Sequence, residues 1–216
     1  MKKYRIAVFD LDGTLLDTAE GLLVAVKYTI DKMGLAMLPD EQLRTFIGPP
    51  IQDSFAKAYS LEGEILQTIA TCFRNRYKDY DLLKATPYDG IYEVFENLSH
   101  KGIKTAIATY KRQDYAETIL KHFGFDKYTS IMYGADHENK LKKVDIIEKC
   151  LQGCKVYDGK NAVMIGDSSY DAVGAQKMGI DFIGVTYGFD FQSADEVLRS
   201  GGIGSVDTPR ELVYYF

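Results

Sequence analysis

The residues best suited to chemistry lie in one short segment near the start of the sequence. The run Val8-Phe9-Asp10-Leu11-Asp12-Gly13-Thr14 places two carboxylates two residues apart, directly after a short apolar stretch. Ligands of open parallel sheets bind beyond the carboxyl ends of the strands, where Asp10 and Asp12 can converge. Paired carboxylates suit a hard cation such as Mg2+, a carboxylate can attack phosphorus, and Gly13 frees peptide N–H groups to face an anion. The alternative is a turn in which these residues only cap and bend the chain.

A second carboxylate pair follows another apolar run. The segment Ala162-Val163-Met164-Ile165-Gly166-Asp167 ends like a buried strand, and Asp171 comes one helical turn after Asp167. Alone, this pair would be interpreted as a helix N-cap and a first-turn acid favoured by the helix dipole. With Asp10 and Asp12 at the same sheet edge, four carboxylates would repel one another, and a divalent cation would relieve the repulsion. The two segments together therefore indicate a metal site in which Asp171 either holds the water shell of the metal or braces Asp167.

Groups that could bind a phosphate occur at two further places. The strand-like residues 103–108 end in Thr109-Tyr110-Lys111, which offers a hydroxyl and backbone amides. Lys140, Lys142 and Lys143 cluster just before a predicted helix. A lysine at this edge could bind a phosphoryl oxygen and compensate a carboxylate nucleophile. Taken one at a time, lysines near a loop are more often solvated surface charges.

Strand and helix patterns alternate along most of the chain. The strand-like runs are residues 4–9, 102–108, 129–133, 161–165 and 182–185. Segments with helical period lie between them; one has Ile91, Val94, Phe95 and Leu98 on a single face, after a predicted N-cap at Asp89. This alternation predicts an α/β fold with a doubly wound, mainly parallel sheet covered by helices on both faces.

One region breaks the alternation. Residues 18–84 show helix patterns only, at 19–33, 41–46, 51–59 and 61–80. Parallel strands are normally joined by a single helix, so this stretch predicts a small all-helical domain inserted after the first strand. We therefore predict a core domain of residues 1–17 and 83–216 and a helical domain of residues 18–82.

Composition limits the expected partners and location. The chain has 216 residues, a formal net charge of −5 and no basic run. Nucleic acid is therefore not expected as a partner, because affinity for a phosphate backbone comes from clustered Lys and Arg. No apolar stretch approaches the ~20 residues that span a bilayer, so no membrane partner is expected. The first apolar run ends at Asp10, too early for a signal peptide, and the three cysteines are typical of reduced thiols, so we expect a cytoplasmic protein.

The four segments resemble, in order, the motifs of the haloacid dehalogenase superfamily of phosphatases. They are FDLDGTLLDT, the strand end at Thr109, the region of Lys143 and the run GDSSYDAVGA. The helical insertion is similar to the cap domain of that superfamily. The carboxyl-terminal tail and Phe46-Ile47-Gly48-Pro49-Pro50 resemble its phosphoglycolate-phosphatase-like branch. The resemblance covers nearly the whole chain and implies a Rossmann-like core, a helical cap and Mg2+ as the cofactor.

The resemblance also implies roles for the four carboxylates. Asp10 matches the nucleophile that becomes an aspartyl phosphate. Asp12 matches the general acid/base, and its main-chain carbonyl matches a metal ligand. Asp167 matches the other protein carboxylate on the metal beside Asp10, and Asp171 matches the supporting acid.

The remaining matched positions concern the phosphate. Thr109 matches the phosphate-binding hydroxyl, and Gly13 and Tyr110 match amide donors. Tyr110 departs from the family pattern, which more often has Asn or Ser there, and we expect it to narrow the site. The Lys-Pro of the third motif is missing; Lys143 is taken as the catalytic, phosphate-binding lysine because Lys-Val-Asp-Ile-Ile resembles the branch's variant, with Lys142 as the alternative.

The function expected from the resemblance is Mg2+-dependent hydrolysis of a small phosphate monoester through the aspartyl phosphate. Candidate substrates are phosphoglycolate, nucleoside monophosphates, pyrophosphate and sugar phosphates. A phosphomutase of the β-phosphoglucomutase type and a pyrophosphatase remain alternatives. A phosphate-binding protein without turnover would be expected to lack Asp10 or Asp12, and both are present. The sequence does not indicate whether the chain is a monomer or a homo-oligomer.

The bend Gly48-Pro49-Pro50 between two predicted helices is the candidate specificity loop of the insertion. Proline fixes the backbone there, which suits a surface that selects the leaving group of the substrate. An ordinary helix–helix turn is an equally good interpretation.

Overall fold

The structure is a computed structural model that describes residues 4–137, 140–156 and 159–216. It divides into two compact units at Asp17–Thr18 and again at Thr86–Pro87. One unit holds the chain up to Asp17 and from Pro87 onward, and the other holds Thr18–Thr86. The second division lies after the boundary at residues 82–83 that the sequence predicts. Residues around Lys84 stay with the insertion because the Lys84 carbonyl accepts a hydrogen bond from the Gly21 N–H at 3.0 Å. Gly21 lies in the first helix of the insertion.

The strands of the described residues form one large sheet and one small one. They are β1 (Ile6–Phe9), β2 (Leu16–Asp17), β3 (Thr86–Pro87), β4 (Lys104–Arg112), β5 (Met132–Ala135), β6 (Ala162–Gly166), β7 (Asp181–Val185) and β8 (Gly204–Val206). The six-stranded sheet has the order β5-β4-β1-β6-β7-β8, and its assigned pairs are parallel. The predicted α/β fold with a mainly parallel sheet is confirmed. The last strand, β8, has the sequence Gly-Ser-Val and contains no apolar run, so it is not among the predicted strands.

The centre of the sheet is the strand that precedes the first motif. All four residues of β1 are buried, as expected for a parallel strand covered on both faces. Phe9 lies in register with Ile107 of β4 and Ile165 of β6. β1 and β6 therefore end close to one level, beside Ile107 of the longer strand β4, and the residues that follow lie along one edge of the sheet.

The α-helices of the described residues are α1 (Ala19–Lys32), α2 (Asp40–Arg44), α3 (Ile51–Tyr59), α4 (Glu64–Arg76), α5 (Ile91–His100), α6 (Gln113–His122), α7 (Lys143–Gly153), α8 (Ser169–Met178) and α9 (Ala194–Arg199). The last five, α5–α9, pack on the six-stranded sheet and cover both of its faces, and α1–α4 belong to the inserted unit. Alternate side chains of β1 point to opposite faces. Phe9 packs on Phe95 of α5 with ring centroids 4.8 Å apart, whereas Val8 joins Ile147 of α7 in a second apolar cluster.

The inserted unit has an apolar core of its own. Phe46 and Phe55 meet edge to face with centroids 5.0 Å apart, and Phe73 stacks on Tyr77 at 5.5 Å. Its last helical segment is a π-helical turn at Tyr77–Asp81. The predicted helix over residues 61–80 is thus shorter than expected. It begins at Glu64 because Gly63 has a positive φ of 73°, and it changes to the wider turn after Arg76.

Two further local predictions differ from the structure. The N-cap of α5 is Gly90 rather than Asp89, whose carboxylate instead pairs with Arg210. Strand β4 continues to Arg112, beyond the last residue of its apolar run at Ala108, with an irregular register against β5. None of the helices formed by the described residues is long and apolar enough to cross a membrane.

Candidate active site

The site is built at the carboxyl edge of the central strands. Asp10 directly follows β1, and its N–H donates to the carbonyl of Ile165 at 2.9 Å. Asp167 directly follows β6, and Thr109 lies in β4 two residues after Ile107, the register partner of Phe9. All three side chains are buried. The parallel register therefore brings together polar groups from three segments that are far apart in sequence.

Three buried carboxylates form the centre of the site. Asp10, Asp167 and Asp171 each offer an oxygen, and these oxygens lie within 4.8 Å of one another. Asp171 is fixed at the start of α8, where its Oδ2 accepts a hydrogen bond from the Ser168 hydroxyl at 2.7 Å. The cluster contains oxygen donors only, which is the donor type that hard divalent cations bind.

One ammonium group lies against this cluster. The Lys143 Nζ is 2.6 Å from Oδ1 of Asp10 and 2.6 Å from Oδ1 of Asp171. Lys143 is the first residue of α7 and is buried. Lys142, the alternative that the sequence left open, is the exposed N-cap residue of the same helix, and its backbone N–H donates to Asp145.

Electrostatics at the cluster are unfavourable for three charged carboxylates. Burial raises the pKa of Asp10 to about 7, Asp171 and Asp12 add to the rise, and Lys143 opposes it. Burial together with Asp10 and Asp171 also holds the pKa of Asp167 well above its usual range. Burial disfavours the charged form of Lys143, but the two carboxylates outweigh this effect and raise its pKa. A single ammonium thus leaves excess negative charge that a divalent cation would balance.

Two glycines make room for Asp167. Gly13 has a positive φ of 80°, and a Cβ there would collide with the Asp167 carboxylate. A Cβ on Gly188 would collide with the Cβ of Asp167 and with the Gly13 carbonyl. Oδ2 of Asp167 accepts a hydrogen bond from the Phe189 N–H at 2.7 Å. Any side chain at position 13 or 188 would therefore displace this carboxylate.

The side chain of Asp12 lies outside the three-carboxylate cluster. Its Oδ1 pairs with the Lys111 Nζ at 2.9 Å, and the side chain of Lys111 is only 6% exposed. The Lys111 N–H donates to the Thr109 hydroxyl oxygen at 3.0 Å. The sequence predicts roles for Asp12 and Thr109 but none for the Lys111 side chain. Alternation along an extended β4 puts residues 109 and 111 on one face, but the apolar pattern that identifies this strand stops at Ala108.

The side chain of Tyr110 makes contacts in addition to those expected of its backbone. It lies in β4 with its ring on the opposite side from Thr109, packed against the apolar cluster that contains Ile147. Its hydroxyl oxygen accepts a hydrogen bond from the Lys143 N–H at 2.9 Å. The sequence predicts an amide donor here and a narrower site, but it does not predict this side-chain contact.

The candidate specificity loop belongs to the inserted unit. Residues 48–50 form the second half of the connection between α2 and α3; Gly48 has a positive φ of 101°, and Pro50 is the N-cap residue of α3. A positive φ followed by two prolines gives this connection a fixed backbone path.

Comparison with known proteins places this architecture in a family. The family described as haloacid dehalogenase-like hydrolase matches residues 7–185, a span that includes all four motifs. A 5'-nucleotidase of Pseudomonas aeruginosa is 31% identical over 195 residues, which cover 90% of this chain and 87% of that protein. A haloacid dehalogenase-like family hydrolase of Streptococcus pneumoniae superposes with a TM-score of 0.91 at 29% identity, over 100% of both chains.

A third relative carries a different name. The tyrosine-protein kinase PtkA of Mycobacterium tuberculosis is 32% identical over 187 residues, which cover 86% of this chain but 63% of the kinase. The relatives thus share the fold and differ in the reaction that their names describe. Since the family match spans most of the sequence and is supported by relatives above 30% identity, this chain belongs to the haloacid dehalogenase-like hydrolase family, as its motifs predict.

Proposed function

We propose that this chain is a Mg2+-dependent phosphatase that hydrolyses a small phosphate monoester through a phosphorylated Asp10. The observation that carries the proposal is the buried pair of Lys143 Nζ and Asp10 Oδ1, 2.6 Å apart at the end of β1. An ammonium in this position compensates the charge of a carboxylate nucleophile and can bind a phosphoryl oxygen as the ester approaches. The 5'-nucleotidase relative supports the same reaction class.

The residues at the sheet edge fit a divalent cation. Asp10 and Asp167 are buried, their pKa values are raised, and their oxygens lie within 4.8 Å of each other. We propose that these two carboxylates and the main-chain carbonyl of Asp12 hold Mg2+. Mg2+ would supply charge neutralisation on the transferring phosphoryl group. This assignment is compatible with the contact between Asp12 and Lys111, because it uses the backbone oxygen of Asp12 and not its side chain.

The protein's own residues then carry out two displacements. In the first, a carboxylate oxygen of Asp10 bonds to phosphorus, the bond from phosphorus to the leaving oxygen breaks, and Asp12 gives that oxygen a proton. In the second, Asp12 takes a proton from water while the water oxygen bonds to phosphorus. The bond from phosphorus to Asp10 then breaks, inorganic phosphate leaves, and Asp10 is a carboxylate again.

Donors for the phosphoryl oxygens come from β4 and from the turn after β1. The Thr109 hydroxyl accepts a hydrogen bond from the Lys111 N–H, and accepting this bond leaves its own hydrogen for donation. We propose that this hydroxyl, the Lys143 ammonium and the peptide N–H groups of Gly13 and Tyr110 bind the phosphoryl oxygens. These groups are expected to act on every substrate alike, because each ester presents the same phosphoryl group.

The test is a panel of unlike phosphate esters assayed with Mg2+. Glycolate, nucleoside and sugar phosphates and pyrophosphate should be compared by release of inorganic phosphate, with isomerised sugar phosphate measured in parallel. We expect inorganic phosphate from at least one ester. Isomerisation without phosphate release would instead favour the phosphomutase alternative, and no turnover of any ester would contradict the proposal.

Metal removal should abolish activity and lower stability. We expect Mg2+ to support turnover, EDTA to remove it, and Ca2+ to replace Mg2+ poorly because its larger, looser coordination shell misplaces the nucleophile. At a concentration about 100 times its Kd, a bound metal stabilises a fold by about 2.7 kcal/mol, so Mg2+ should also raise the Tm. Asp167→Asn should lose most of this Tm shift, whereas the exposed Asp17→Asn should keep it. Undiminished activity of EDTA-treated protein would contradict the metal assignment.

We also propose that residues 48–50 of the inserted unit select the leaving group. Rigid backbone at Pro49 and Pro50 suits a surface that discriminates between substrates. Closure of a cap over a reacting phosphate excludes water and adds contacts to the leaving group. Substitutions in this loop should therefore change which substrates are preferred, whereas substitutions of the catalytic groups should lower turnover of all substrates.

Substitution in this loop should change the ranking of substrates. We expect Pro49→Ala to alter kcat/KM by different factors for three unlike esters, and Asp167→Asn to lower all three together. Glu62→Ala, in the exposed connection between α3 and α4, is the matched control and should leave the ranking unchanged. If Pro49→Ala scales every ester by one common factor, the loop does not recognise the leaving group.

A further inference from the structure

We infer that Tyr110 is a positioning residue that holds Lys143 against Asp10. The inference rests on the proposed function, in which Lys143 binds the transferring phosphoryl group. Three contacts of the Tyr110 side chain carry the inference.

The first contact fixes the start of α7. The opening N–H groups of a helix have no acceptor within the helix. At Lys143, the first residue of α7, this N–H donates to the Tyr110 hydroxyl oxygen at 2.9 Å. The residue that carries the ammonium is therefore anchored through its own backbone. A displacement of this end of the helix would move Nζ away from Asp10.

The second contact involves the ammonium itself. The Lys143 Nζ lies 5.7 Å from the centroid of the Tyr110 ring, within the range of a cation–π interaction. The same Nζ is 2.6 Å from Asp10 Oδ1. One side chain thus contacts both ends of Lys143, its backbone N–H through the hydroxyl and its Nζ through the ring.

The third contact joins Tyr110 to the other partner of the ammonium. Tyr110 and Tyr170 meet edge to face, with centroids 5.4 Å apart and an interplanar angle of 88°. Tyr170 directly precedes Asp171, whose Oδ1 is 2.6 Å from the Lys143 Nζ. Tyr110 therefore packs against the first turns of both α7 and α8, the two helices that supply Lys143 and its supporting carboxylate.

The test is a double-mutant cycle between Tyr110→Phe and Lys143→Met, measured as kcat on two unlike phosphate esters with Mg2+. Tyr110→Phe keeps the ring and removes only the hydroxyl, so we expect kcat to fall about two- to tenfold, the loss of one ordinary hydrogen bond. In the Lys143→Met background the same change should have no further effect, because the group being positioned is gone. Where turnover of Lys143→Met is too low to follow, the cycle is measured on the Kd of inorganic phosphate.

Two controls separate positioning from general structure. Tyr133→Phe alters a half-buried tyrosine of β5 that packs on the same apolar cluster, and it should leave kcat unchanged. Tyr110→Asn should lower kcat more than Tyr110→Phe, because it also removes the ring. If the wild-type protein is active and the double variant loses kcat by the product of the two single-variant factors, Tyr110 acts independently of Lys143. That result would overturn the role of Tyr110. Absence of wild-type turnover would instead overturn the proposed function, and this inference with it.

Discussion

Asp10→Asn should abolish turnover of every phosphate ester while the protein remains folded. The substitution is nearly isosteric and removes the carboxylate that we propose attacks phosphorus. Loss of the covalent route should lower kcat by more than about 10³-fold, since a nucleophile and the residues around it act as one unit. Steady-state assays on three esters, with the wild-type protein measured beside them, give the comparison.

The same variant should not be less stable in metal-free buffer. Burial raises the pKa of Asp10 to about 7, so the folded protein disfavours the charged carboxylate and should accept a neutral amide. We expect the Tm of metal-free Asp10→Asn to equal or exceed that of the wild-type protein. Asp17→Asn, an exposed change in the same motif, is the control and should keep full activity. Activity of Asp10→Asn within about tenfold of wild type would contradict the assignment of the nucleophile.

Asp12→Ala should lower turnover in a manner that depends on the leaving group. General acid/base groups contribute about 10²–10⁴-fold, and we expect a loss of this size with an alkyl phosphate, whose oxygen needs a proton. An aryl phosphate needs little protonation, so its first displacement should survive. The second displacement still needs a base to activate water, and it should remain slow.

A burst measurement separates the two roles of Asp12. With an aryl phosphate, Asp12→Ala should release about one phenol per active site rapidly and then stall, as expected when an intermediate accumulates. Asp12→Asn should behave in the same way, because it retains the shape of the side chain and lacks the base. Full multiple-turnover activity of Asp12→Ala with the aryl ester would show that Asp12 serves only the leaving group.

The sheet and the carboxylate cluster could be predicted because apolar runs in the sequence identify the buried strands, and the carboxylates directly follow two of these runs. Each of the runs before Asp10 and Asp167 is a fully buried strand, and parallel strands with aligned registers must end at one edge. The phase of α7 supports the proposal that Lys143, rather than Lys142, binds the phosphoryl group. Lys143 faces the interior beside Gly174 of α8, whereas Lys142 is the exposed N-cap residue.

The contacts from the far end of β4 could not be predicted in the same way. The apolar pattern of that strand stops at Ala108, so the pattern does not predict that Tyr110 and Lys111 continue it. Alternation along this extension directs Lys111 to Asp12 and Tyr110 to Lys143. Both contacts join segments that are distant along the chain, and their geometry depends on the irregular register between β4 and β5.

The most direct measurement of the central claim is capture of the phosphoryl group on the enzyme. Asp12→Ala should be mixed with Mg2+ and an aryl phosphate, quenched in acid and analysed by peptide mass spectrometry. We predict a mass increase of one phosphoryl group on the peptide that contains Asp10, lost after mild alkaline treatment and missing from the Asp10→Asn, Asp12→Ala double variant. Phenol release without phosphorylation of this peptide, or with the phosphoryl group on another residue, would contradict covalent catalysis by Asp10.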